Sequence, residues 1–154
     1  MVAVLHNIRS VHNVASIFRT ADAVGAEKIY LCGITPGPVD RLGKNRDQFV
    51  KVSLGAERTV SYENRVLTGK LLDELKKDGY QILAIEQAKN SVPYYKFKTR
   101  KRKLALVLGS EVTGLSDSIL KKADKILEIP MEGTKESLNV AIAFGVVAYN
   151  LKFK

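Results

Sequence analysis

The run LALVLG, residues 104–109, is apolar from end to end. A strand with one wet face alternates apolar and polar side chains. A short unbroken run is the pattern of a parallel strand buried on both faces. Outward from it the chain alternates between strand-like and helix-like segments. VAVLH (2–6), EKIYLC (27–32), the region of ERTVSY (57–62), YQILAIE (80–86) and KILEIP (125–130) read as strands, the last stopped by Pro130. Between them, Val14, Ile17, Phe18, Ala21 and Val24 recur at helical spacing over 14–24. Residues 66–78 read as a helix ended by Gly79, and LSDSILKKA (115–123) as a helix with Ser116 at its N-cap and Leu115 and Leu120 as its hydrophobic staple. A last helix covers roughly 137–151. Residues 33–57 read as a long irregular stretch, a length usually functional or disordered. The alternation predicts one α/β domain over 1–154, with a mainly parallel sheet and helices on both faces.

The chain carries 25 Lys and Arg against 16 Asp and Glu, a net charge of +9, which favours an anionic partner, nucleic acid first. No apolar run reaches the length of a membrane span. MVAVLHNIRS lacks the charged leader and apolar stretch of a signal peptide, so none is expected. Cys32 is the single cysteine, which rules out an internal disulfide and points to a reducing, cytoplasmic setting. It lies in an apolar strand, where an inert buried thiol is expected. In the last helix Leu138, Ala141, Ile142, Gly145 and Tyr149 share one face, while Val140, Phe144, Val147 and Leu151 cover much of the other. A helix apolar nearly all round must be covered on both sides. An isologous homodimer does that, and so does a helix sandwiched within its own chain.

Ligands of α/β sheets bind beyond the C-terminal ends of the strands. Three polar clusters fall there: Asn7, Arg9 and Asn13; Gly109, Ser110, Glu111 and Gly114; and Glu132, Gly133, Thr134, Ser137 and Asn139. No G-x-G-x-x-G or P-loop follows a strand, and no metal-ligand spacing occurs. His6 and His12 read as structural or incidental. Asn13 is a candidate N-cap and equally a candidate site residue. Arg19 projects roughly 160° from the centre of its helix's apolar stripe, so it is either solvated or faces something bound. Arg9, Arg41, Lys44, Arg46 and the run Lys96 to Lys103, with Arg100, Lys101 and Arg102 at its centre, are candidate contacts to nucleic-acid phosphates. Tyr94, Tyr95 and Phe97 beside that run are packing residues or base-stacking ones.

NVASIFRTADAVG (13–25), LVLGSEVTGLS (106–116) and IPMEGTKESLNVAIA (129–143) resemble, in order and spacing, three motifs of the SpoU-type (TrmH-like) RNA 2′-O-methyltransferases of the SPOUT superfamily. KVSLGAE (51–57) is similar to a further turn of that family, and Ala141 stands where many members carry Ser. The resemblance covers nearly the whole chain. It implies a deep C-terminal trefoil knot, a homodimer, and S-adenosylmethionine held by Leu108, Gly109, Ile129, Met131 and Leu138. It implies transfer of a methyl group to a ribose 2′-hydroxyl of RNA without a metal. Arg19 is then the catalytic arginine, with Asn13, Glu111, Ser137 and Asn139 lining the site. Glu111 is expected to orient Arg19 or Asn139, and Gly133 to let backbone approach the cofactor. The chain looks like a bare catalytic domain, which favours tRNA over rRNA. The alternatives are a non-catalytic RNA-binding module that keeps the fold, and a methyltransferase acting on a base nitrogen.

Overall fold

The computed structural model describes residues 1–154. Its elements, in chain order, are β1 (Val2–His6), α1 (Val11–Val24), β2 (Lys28–Cys32), α2 (Asp47–Ser53), α3 (Ala56–Thr59), β3 (Tyr62–Arg65), α4 (Thr68–Lys77), β4 (Gln81–Ile85), β5 (Val92–Pro93), β6 (Leu104–Leu108), α5 (Asp117–Leu120), β7 (Lys125–Glu128) and α6 (Val140–Phe153). The strands form one sheet in the order β3-β2-β1-β6-β4-β7-β5, every pair parallel. No helix is long and apolar enough to cross a membrane.

β6 lies inside the sheet, between β1 and β4, and all five of its residues are buried. Its alternation divides the core. Leu104, Leu106 and Leu108 face a cluster with Ile17 and Phe18 of α1, Phe49 of α2 and Phe144 and Val147 of α6. Ala105 and Val107 face a second cluster with Leu71, Leu72 and Leu75 of α4 and Ile119 of α5. Helices therefore cover both faces.

Several local expectations need correction. The stretch 33–57 is not irregular throughout: it contains α2 and begins α3, and Phe49 packs edge-on against Phe18, ring centroids 5.1 Å apart. The third strand is β3, at 62–65 rather than 57–62, and the two-residue β5 carries no sequence signal. Ser10, not Asn13, caps α1, its hydroxyl accepting the Asn13 N–H at 3.2 Å. Gly25 ends that helix at φ 67°, the left-handed conformation that glycine tolerates best. α5 is a single turn, and its N-cap Ser116 pairs its hydroxyl with Ser118 instead of a backbone N–H. The last helix starts at Val140 instead of near 137, capped by Asn139. Cys32 is fully buried, and burial pushes its thiol up to about 11, so it is inert near neutrality. His6 Nδ1 shares a 2.7 Å hydrogen bond with the Thr68 hydroxyl, a structural role.

Candidate active site

A parallel sheet puts the loops after its strands at one edge. Those after β4, β6 and β7, with the start of α6, enclose a cavity of about 920 Å³. Leu108, Gly109, Ile129, Met131 and Leu138 all line it, as do Asn13, Glu111, Ser137 and Asn139. The wall contributed after β4, Glu86 to Ala88, went unnoticed in the sequence. The signal there was weak: a polar pair closing a strand, with no motif around it.

Two glycines make the wall. A Cβ on Gly109 would stand 2.4 Å from the carbonyl carbon of Gly114. Gly114 has φ 62°, and a Cβ there would meet Glu86 Oε2 at 2.4 Å. Between them the Gly114 N–H reaches the Ser110 carbonyl at 2.8 Å, closing a tight turn. Glu86 fixes that turn by accepting the Leu115 N–H at 3.0 Å. Larger residues at 109 and 114 would push the loop off its support. Gly133, by contrast, has nothing within 4 Å of a Cβ position, so no protein contact demands glycine there.

Glu111 projects from that loop onto the start of α1. It accepts the backbone N–H of Arg9 at 3.1 Å, that of Ser10 at 3.3 Å, and Asn13 Nδ2 at 2.9 Å. Partial burial works against the charge, but the hydrogen bonds from Asn13 and the backbone outweigh it and hold the carboxyl below its usual range. Asn13 Oδ1 accepts Asn139 Nδ2 at 3.0 Å, and Asn139 Oδ1 accepts the Ala141 N–H at 2.9 Å. A chain Glu111–Asn13–Asn139 thus ties the β6 loop to the starts of α1 and α6. Glu111 orients Asn13 directly, and Asn139 only through it. It does not touch Arg19.

Arg19 lies elsewhere. It is exposed, makes no hydrogen bond or ion pair, and is absent from the cavity wall. It follows Asn13 by six residues, about 9 Å along the helix and about 120° around it. Of the cationic candidates, Arg9, Arg41, Lys44 and Arg46 stand on the cavity's side of the sheet, after β1 and β2. Arg100, Lys101 and Arg102 precede β6 and lie at the opposite edge. His12 is exposed outside the cavity. No cluster of His, Cys, Asp and Glu is arranged to hold a metal ion.

The family model of the SpoU rRNA methylase family matches residues 1–149. The chain is 32% identical, over 97% of its length, to the tRNA (guanosine(18)-2′-O)-methyltransferase of Aquifex aeolicus, of which it covers 67%. Other curated relatives are covered over 57% of their length, so the chain spans between about half and two thirds of these curated relatives. Among solved structures, the A. aeolicus TrmH/SpoU tRNA modifying enzyme superposes with a TM-score of 0.84 over 98% of this chain and 73% of that one, at 32% identity. An AdoMet-bound rRNA methyltransferase from Sinorhizobium meliloti gives 0.87 over 97% and 54%, at 28% identity. A structure describing 2-OH methylation of C/U34 on tRNA gives 0.78 over 96% and 91%, at 27% identity. With the motifs on one cavity and the fold shared along its whole length, the chain belongs to the SpoU rRNA methylase family.

Proposed function

We propose that this chain is an S-adenosylmethionine-dependent methyltransferase that methylates a ribose 2′-hydroxyl of RNA, tRNA before rRNA. The observation that carries the proposal is the single cavity that unites the five cofactor-binding candidates with Asn13, Glu111, Ser137 and Asn139. Its volume suits a cofactor-sized ligand. Ile129, Met131 and Leu138 offer apolar contacts for a nucleobase, and the backbone at Leu108 and Gly109 offers polar ones. Bound there, S-adenosylmethionine supplies an electrophilic methyl group on a sulfonium. A deep trefoil knot of the C-terminal segment fits the same convergence, because the loops around 109–115 and 129–139 line one cavity with the residues that follow β4.

A neutral hydroxyl is a poor nucleophile, so the site must take up its proton or stabilise the alkoxide that develops. Asn139 and Ser137 stand at the cavity rim to position the ribose. Asn13 and Glu111 are positioning residues that hold Asn139. Arg19 supplies positive charge. A guanidinium keeps its proton in protein settings, so Arg19 stabilises the alkoxide and an adjoining phosphate instead of acting as a base.

Arg19 reaches the hydroxyl through a homodimer. Ile142, Tyr149 and Phe153 form an exposed apolar stripe along α6, and the exposed Leu138 stands just before that helix. Leu138 also belongs to the cavity wall. A second copy covering the stripe therefore brings its own surface to the cavity mouth. α1 packs on α6, with Thr20 Cγ2 3.5 Å from a Cβ position on Gly145, and the exposed Arg19 is the residue next to that contact. In this arrangement Arg19 of the partner subunit faces the reacting centre. A cytoplasmic location accords with the reduced, buried Cys32.

The test is to incubate the protein with bulk unmodified RNA and labelled cofactor, map the modified nucleotide, and digest the RNA to nucleosides for mass analysis. A 2′-O-methylated nucleoside is expected. A base-methylated nucleoside would refute the ribose assignment. Absence of cofactor binding by calorimetry would leave only a binding module.

A further inference from the structure

We infer a second RNA-backbone contact at the edge of the sheet opposite the cavity, which makes the substrate a folded RNA large enough to touch both edges. The inference rests on the RNA-methyltransferase reading above. Six cations fall between Lys96 and Lys103, all exposed, and none takes part in an ion pair. Like charges at this density repel one another, and the field of Glu27 relieves only the end of the run, at Lys103. Glu27 is taken by the N-terminal amine and the Tyr80 hydroxyl, and Asp124 by Lys76 and the Ile82 N–H.

The segment is also held in place. Phe97 is buried, the Thr99 hydroxyl donates to Gln81 Oε1 at 2.8 Å, and the Lys101 N–H donates to the Thr99 hydroxyl at 3.0 Å. From the end of the last helix, Lys154 Nζ donates to the carbonyls of Tyr95 and Phe97. Lys152 nears Gly25 at the same edge, adding to the field. A fixed, unpaired array of cations beside the half-exposed Tyr95 suits a phosphate backbone with a base free to stack. A strand of five residues separates this edge from the cavity, about 15 Å straight through the sheet and further around it. A short strand seated at the cavity does not bridge that path, whereas a folded RNA does.

The experiment measures binding of bulk unmodified tRNA to the full chain against salt. Replacing Arg100, Lys101 and Arg102 together by Ala should weaken binding about 10- to 100-fold and flatten the slope of log K against log salt by about 2 to 3. Lysine at positions 100 and 102 should keep the slope, because it keeps the charge. Alanine at Lys51, Arg58 and Lys70, exposed on α2, α3 and the start of α4 and not beside this segment, matches the change in net charge and should leave the slope as it is. The triple variant should also lose preference for the whole RNA over a short single-stranded fragment centred on the mapped nucleotide, read as the ratio of kcat/KM. An unchanged slope, an equal effect of the control triple, or an equal loss on the short fragment would each overturn the inference. So would loss of binding to anionic lipid vesicles with RNA affinity intact, which would make the edge a membrane contact. If the wild-type chain methylates neither RNA, the enzyme reading fails, and the salt slope still decides the second contact.

Discussion

Glu111 closes the start of α1 from outside the helix: two backbone N–H groups and one amide converge on a carboxylate that belongs to a loop about a hundred residues later in the chain. That is why its carboxyl sits below the usual range, and the sign of the effect follows. Stability gained from this group is present above the ordinary carboxylate pKa and is lost as pH falls through the lower folded value. His6 adds to the same trend. Burial lowers its pKa from 6.5, so below about that pH the unfolded chain takes up the proton more readily and stability falls. Urea midpoints should therefore decline from neutral pH toward pH 5, and again through the acidic range. Glu27, Glu57 and Glu63 are held low as well, so Glu111→Ala should reduce the second decline without abolishing it, and cost about 1–2 kcal/mol at pH 7, because three partners lose their acceptor. A second decline of wild-type size in that variant would mean that the carboxylate does not carry it. Arg19 sits at the other extreme, with no partner at all. Arg19→Ala should lower methyl transfer about 10²- to 10⁴-fold. Cofactor binding and melting temperature should hold, since alanine is a good helix former. Partial activity in Arg19→Lys would favour a role for charge alone; activity as low as in the alanine variant would favour the guanidinium's planar fork. Near-wild-type turnover by Arg19→Ala would return this residue to the solvent.

At the scale of elements, α6 asks for a cover. Phe144, Val147 and Ala148 fill the core, yet Ile142 is 56% exposed and Phe153 69%. Ile142→Asp should halve the mass in light scattering while leaving the far-ultraviolet spectrum folded, because the aspartate is solvated in a free protomer and buried unpaired in a dimer. A wild-type chain of monomer mass across micromolar concentrations would remove the dimer. The same helix shows what the sequence could reveal. Its two apolar faces were legible because a period of 3.6 residues needs only composition along one helix. The strand LALVL and the α1 stripe were legible for the same reason. α2 and α3 were not: at seven and four residues they are too short to display a period, and Leu54 and Gly55, both at positive φ, break the chain between them. Asn13 carried both a capping and a site signal, and Asn139 a site signal alone. The caps could be apportioned only when Ser10 and Asn139 were seen to take them. The Glu86 wall depended on β4 lying between β6 and β7, a neighbourhood that no local pattern encodes.

At the scale of the whole molecule, the position of Arg19 becomes a question of symmetry. The cavity wall belongs to one protomer, and Arg19 stands outside it. An isologous interface over α1 and α6 sends each protomer's Arg19 toward the other's cavity. Mixing two inactive variants then separates the two geometries. Take Arg19→Ala in one chain and Asn139→Ala in the other, each inactive as a homodimer. In a mixed dimer with Arg19 acting across the interface, one site carries both lesions and the other carries neither. The intact site should work. After random subunit exchange about half the dimers are mixed, so about a quarter of wild-type activity should return. If Arg19 serves the cavity of its own chain, every site in the mixed dimer keeps one lesion and nothing returns. The measurement is methyl transfer to unmodified RNA before and after exchange, with mixing confirmed by an affinity tag on one chain. A confirmed mixed dimer that stays inactive would place Arg19 with its own cavity, and its long exposed side chain would then have to bend back toward Asn13 when RNA binds.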